Sequence, residues 1–167
     1  MDDNRIMAGN LLALARTIAV DTEVDQLADG GDLRACLSRV DSARPFFVIC
    51  ANDTVLNQVA GTGTLQLRLS NVRTHRLEPG DIVYLPAGTP HRYVPATESV
   101  QLKYKAAIPG AEAAAWYCRR CETELFRHTF DTSSLPVDEG YAAGVTAFAA
   151  GQPHDCPECG LAERPTP

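Results

Sequence analysis

Four of the six cysteines stand as two C-x-x-C pairs, Cys118-Arg119-Arg120-Cys121 and Cys156-Pro157-Glu158-Cys159. A C-x-x-C turn points both sulfurs into one hollow. Two such hollows facing each other make a tetrahedral thiolate cage suited to Zn²⁺ or a single iron. A closed four-sulfur set leaves no open coordination position, so the expected metal is structural and any further chemistry lies elsewhere. The acidic start, Met1-Asp2-Asp3, has no leader-like pattern, which favours thiolates over disulfides and sets the expectation of a cytoplasmic protein. Cys36 and Cys50 lie in apolar stretches and read as small buried residues.

Composition narrows the partners. With 167 residues, a net charge of -6 and a pI near 5.1, the chain can bury one core plus a small appendage. That charge argues against nucleic acid and against anionic membrane surfaces. No apolar run approaches the roughly 20 residues that span a bilayer. A small molecule is the expected partner.

The elements that must position these groups change character along the chain. Apolar residues at helical spacing (Ile6, Leu11, Leu12, Leu14, Ala15, Ile18) predict a helix over Asn4 to Ala19, within an N-terminal segment 1–31. From residue 32 to 107 the texture becomes short runs rich in Val, Leu, Phe and Tyr between turn residues. They are Leu33–Val40, Pro45–Cys50, Val55–Ala60, Thr64–Leu69, Val72–Leu77, Ile82–Leu85, His91–Val94 and Ser99–Lys105. So many short strands predict a mainly β barrel or sandwich. An Ile108-Pro109-Gly110 and alanine-rich linker then opens the cysteine segment, 108–160, in which Ser133 to Gly151 is turn-rich and weakly patterned. Residues 161–167 read as a tail.

One stretch is more specific than its periodicity. Gly80-Asp81-Ile82-Val83-Tyr84-Leu85-Pro86-Ala87-Gly88-Thr89-Pro90-His91 resembles the second motif of the cupins, G-x5-P-x-G-x2-H. The resemblance implies a double-stranded β-helix (jelly-roll barrel) with His91 pointing inside. Together with Gln58-Val59-Ala60-Gly61, Trp116-Tyr117-Cys118, Cys121 and His128, residues 32–160 resemble the bacterial 3-hydroxyanthranilate 3,4-dioxygenases. Those cupins open an aminophenol ring with Fe(II) and O2, and carry a rubredoxin-like metal segment near the C-terminus.

The departures from that family decide what the resemblance implies. Its Fe(II) triad of two His and one carboxylate falls on Val48, Thr54 and His91, so the ligand set is degenerate and barrel Fe(II) is expected absent. A rebuilt site would draw on Cys50 and Asp53 with His91. Arg44 falls on an arginine that grips the substrate carboxylate, with Arg92 near the place of the second. Lys105 replaces a substrate-facing Glu, and Lys103 shares its strand face, turned either to the pocket or to solvent. Three readings follow. In the first, the barrel acts on a small aromatic or amino-carboxylate substrate by non-dioxygenase chemistry. Its catalytic residues would be His91, Tyr93 and Lys105, with Arg44 and Arg92 as substrate-binding residues. In the second, it is a non-catalytic binding or partner protein. In the third, it is a ring-opening dioxygenase with a rebuilt metal site. A homodimer is expected by analogy with other cupins.

Overall fold

The computed structural model describes residues 10–25, 32–69, 73–151 and 154–163. In chain order the elements are α1 (Leu11–Ala15), β1 (Thr22–Asp25), β2 (Leu33–Val40), β3 (Phe47–Ile49), β4 (Thr54–Ala60), β5 (Gly63–Leu67), β6 (Thr74–Leu77), β7 (Ile82–Leu85), β8 (His91–Pro95) and β9 (Ser99–Ala106). Then follow β10 (Ala111–Tyr117), β11 (Glu124–Asp131), α2 (Val137–Ala150), β12 (His154–Asp155) and β13 (Ala162–Glu163). Two antiparallel sheets, ordered β1-β2-β9-β4-β7 and β11-β10-β3-β8-β5-β6, face each other as a jelly-roll sandwich. No helix among the described residues is long and apolar enough to cross a membrane.

Strict alternation explains the strands. On β4, Thr54, Leu56 and Gln58 point inward. On β5, Gly63, Leu65 and Leu67 do so. Leu56, Leu65, Leu67, Leu77 and Leu85 close one end of the sandwich as an apolar plug, and each fully buried leucine contributes about 2 kcal/mol. β2 is buried on both faces because α1 covers Ala35 and Leu37 from outside. In the cupin-like motif, Gly88 takes a φ of 76°, which only glycine adopts without strain. Its N–H donates to Cys50 O at 2.9 Å and ties that turn to the end of β3.

Four expectations need correction. The described N-terminal helix is only α1, since the expected start at Asn4 lies outside the described residues, and segment 1–31 also contains strand β1. Residues 161–167, read as a tail, contain strand β13, and those beyond Glu163 lie outside the described residues. The alanine-rich linker is strand β10, paired on both sides, so the sheet continues past residue 107. Alanine is a weak strand former, but Ala114 and Ala115 are fully buried between neighbouring strands. Finally, the weakly patterned stretch contains α2. Its Gly140 lies so close to Phe130 that a Cβ there would come within 2.3 Å of the ring. Trp116 stacks on Phe148 at 4.6 Å, and Phe130 meets Tyr141 at 5.2 Å, fixing α2 against β10 and β11.

Candidate functional site

Opposite the leucine plug the barrel holds a cavity of about 70 Å³. β8 turns His91 into it, directly opposite Val48 on β3. β9 contributes Gln101, Lys103 and Lys105 from alternate positions, with Thr54 directly across from Lys105. Arg44 enters from the segment before β3, Glu23 from β1, and Val137 and Tyr141 from α2. Lys103 and Lys105 thus face the cavity, not solvent.

Of the four cations that line the cavity, Lys103 and Lys105 are paired with carboxylates among the described residues, and Arg44 and Arg92 are not. Lys103 Nζ donates to Glu23 at 2.5 Å, and Lys105 Nζ donates to Glu112 at 3.0 Å. The other Glu112 oxygen accepts from the Tyr141 hydroxyl at 2.8 Å. Burial pushes the Glu23 carboxyl up, but Lys103 and Arg44 outweigh it and hold the group down to about 2. Burial likewise pulls Lys105 down, while Glu112 and Glu23 more than restore it. Arg44 makes no hydrogen bond or ion pair among the described residues. Its guanidinium lies over the Tyr141 ring at 5.0 Å and the Phe46 ring at 5.9 Å.

His91 has a defined tautomer. Its Nδ1 sits 2.9 Å from Thr89 O, and a carbonyl can only accept, so Nδ1 carries the proton and Nε2 is left as an acceptor. Burial pulls the imidazole pKa down to about 4, so the ring is neutral near pH 7. Burial also raises the thiol pKa of Cys50 and pushes Cys36 up to about 11. Both thiols stay protonated and are poor nucleophiles.

The remaining candidates fall in different places. The Tyr93 ring lines the cavity, but its hydroxyl accepts from Gln58 Nε2 at 3.0 Å and meets Ser99 Oγ at 2.8 Å. The Gln58 carbonyl in turn accepts from Gln101 at 2.9 Å, which completes the network. Arg92 also lines the cavity, and its guanidinium stacks on Phe47 at 4.8 Å while Gln66 holds it at 2.7 Å. Asp53 is exposed, accepts from Tyr84 at 2.5 Å and from Ala87 N at 2.8 Å, and does not line the cavity with Cys50 and His91. Glu23, Glu112 and Tyr141 were missed. The one available signal was an acid alone in an alanine run at Glu112.

The cysteine pairs form two near-identical knuckles. Cys118 N donates to Thr123 O at 2.8 Å and Cys156 N to Leu161 O at 3.0 Å. Four residues after each first cysteine the chain bends back, Glu122 N to Cys118 O at 2.9 Å and Gly160 N to Cys156 O at 2.8 Å. Those two bending residues have φ of 65° and 67°. The four sulfurs lie within 4.8 Å of one another, with contacts of 3.5 Å (Cys118 to Cys159) and 3.3 Å (Cys121 to Cys156). Sulfurs bound tetrahedrally at ~2.3 Å from a metal would be about 3.8 Å apart, so the donor set fits Zn²⁺ or a single iron. Among the described residues it is the one grouping of three or more His, Cys, Asp or Glu ligands close enough to share an ion.

Fold and cavity together define a cupin-type barrel. A protein of Neisseria meningitidis is similar over 60% of this chain and 100% of its own (TM-score 0.53, 13% identity). A cupin-2 domain containing protein from Shewanella frigidimarina is similar over 58% and 92% (TM-score 0.50, 16% identity). Hydroquinone 1,2-dioxygenase in complex with Cd²⁺ and 4-hydroxybenzonitrile is similar over 62% and 80% (TM-score 0.50, 16% identity). Identities this low establish the fold alone. No curated protein matches the sequence, and nothing in these comparisons singles out the 3-hydroxyanthranilate dioxygenases. Residues 54–147 match the model of the AraC-like ligand binding domain, and the chain belongs to that family.

Proposed function

We propose that the barrel is a binding site for a small organic carboxylate. One observation carries the reading: among the described residues Arg44 is the cavity-lining cation with neither a hydrogen bond nor an ion pair, while Lys103 and Lys105 each hold a carboxylate and Arg92 is held by Gln66. A guanidinium left among aromatic rings is stabilised by an oxyanion accepting from its N–H fork. The neutral His91 adds an acceptor, so a ligand with a hydroxyl or amine beside its carboxylate satisfies both groups. Membership of a ligand-binding domain family supports the same reading.

A catalytic version rests on one further feature, the unprotonated Nε2 of His91. In it His91 acts as general base toward the bound ligand, Lys105 and Tyr93 keep supporting places in the wall, and no ring opening occurs.

Thermal stabilisation and calorimetry with benzoate and 2-hydroxybenzoate test the proposal. Arg44→Ala is expected to weaken binding roughly ten- to hundredfold, the scale of a hydrogen bond to a charged group. Binding that is absent from the wild type, or equally tight in Arg44→Ala, would refute it. His91→Ala separates the two versions, since turnover lost more than affinity favours the catalytic one.

A further inference from the structure

The outer face of the β11-β10-β3-β8-β5-β6 sheet concentrates positive charge on an acidic protein. Arg68 and Arg92 both stack on Phe47, at 4.6 Å and 4.8 Å, and Arg68 also lies 5.0 Å from the Tyr117 ring. Glu122 bridges two of the arginines, accepting from Arg68 at 3.2 Å and from Arg73. Among the described residues, Arg92 has the neutral Gln66 as its hydrogen-bond partner. Three guanidiniums against one carboxylate leave a surplus of two positive charges, on a chain whose net charge is -6.

Two further observations point to an occupant. Among the described residues, Arg68 Nε is the one buried side-chain nitrogen or oxygen without a partner, and such a donor carries a desolvation cost until something accepts from it. Beside it is a hollow of about 190 Å³ lined by Leu67, Arg68, Leu69, Arg73, Tyr117 and Glu122. None of these residues lines the barrel cavity. Burial lowers the pKa of both Arg68 and Arg92, and each also feels a like-charged neighbour, Arg73 and Arg68 respectively.

We propose that Arg68, Arg73 and Arg92 form a second anion site, for a phosphate-class oxyanion, and that the Glu122 carboxylate occupies it in this structure as an internal stand-in. Planar guanidinium forks match phosphate oxygens in pairs. A dianion answers the surplus charge better than one carboxylate does. Glu122 belongs to the first cysteine knuckle, so it can leave the arginines without moving a strand. The hollow itself is separate from the barrel cavity, because Arg68, Arg73 and Glu122 do not line that cavity, whereas Arg92 borders it.

Calorimetry of the full chain with inorganic phosphate at constant ionic strength tests this, with metal content measured for each variant. Glu122→Gln removes the competing charge and is expected to tighten phosphate binding about tenfold, and Arg68→Gln to weaken it by at least that much. Arg73→Gln serves the same purpose if Arg68→Gln fails to fold. Arg44→Ala, inside the barrel, should bind phosphate like the wild type. Phosphate binding unchanged in the Arg68 and Arg73 variants, or lost in Arg44→Ala, would overturn the proposal. So would a Glu122→Gln protein that does not bind phosphate.

Discussion

Lys105 and Glu112 pair at 3.0 Å inside the protein, across the turn from β9 to β10 and only seven residues apart. Their side chains are 9% and 3% exposed, so the charges answer each other and not water. Paired in this way, Lys105 leaves the cavity's net charge unchanged. Removing either partner strands a buried charge. Lys105→Met or Glu112→Gln is expected to cost about 3 kcal/mol in urea unfolding. The double variant should cost clearly less than the two together. Strict additivity would show that the pair contributes no coupling.

His91 gives the protein an acid sensitivity of its own. Its folded-state pKa, about 4, lies below the ordinary 6.5 because burial disfavours the cation. Its contribution to stability is complete above pH 6.5 and is lost as the pH falls toward 4, by about 3 kcal/mol in all. Glu23, held at about 2 against an ordinary 4.5, loses its contribution only below pH 4.5. Unfolding measured between pH 7 and 4.5 should therefore fall more steeply in the wild type than in His91→Asn. Equal slopes would contradict the buried neutral imidazole.

The cysteine cage should hold one metal per chain, and Cys156→Ser should abolish binding and loosen the segment around it, because no preformed cage exists in the unfolded chain. A milder probe is Gly160→Ala. The added methyl meets nothing within 4 Å, and the cost is the positive φ alone. That strain is about 1–2 kcal/mol, so chelator competition should show metal held at least fivefold more weakly. Full loading with unchanged affinity in Gly160→Ala would mean the knuckle geometry does not govern the site.

Ring opening of 3-hydroxyanthranilate is expected to be absent. Val48 lies opposite His91 and Thr54 faces the same cavity, and neither side chain can replace a histidine or carboxylate ligand to Fe(II). Anaerobic loading with excess Fe(II), followed by oxygen uptake with that substrate, provides the measurement. A rate of roughly 1 s⁻¹ or more, within the usual enzyme range, would show that other residues rebuild the iron site.

The strands from Leu33 to Lys105 could be read from the sequence because alternation writes a half-buried strand into residue order. The cysteine centre could be read because its ligands come in short local pairs. What escaped was set by long-range packing. Ala111–Tyr117 has no strand-like composition, and only the neighbours β3 and β11 make it one. α2 spends two positions of its buried face on Gly140 and Gly144, which blurs any amphipathic stripe. Glu23 and Glu112 gain their meaning from lysines 80 and 7 residues away, and no local pattern reports that.

The two knuckles enclose residues 122–155, and with them β11 and α2, which lays Val137 and Tyr141 against the cavity. A metal joining the knuckles closes that interval into a ring. The lost freedom of the unfolded chain is worth about 3–4 kcal/mol by loop-closure reasoning. The gain goes to the element that forms one wall of the cavity. A carboxylate between Arg44 and Tyr141 and a metal among the four sulfurs would then both draw on the seating of α2. Thermodynamic reciprocity requires that whatever factor the metal adds to the carboxylate's affinity, the carboxylate returns to the metal.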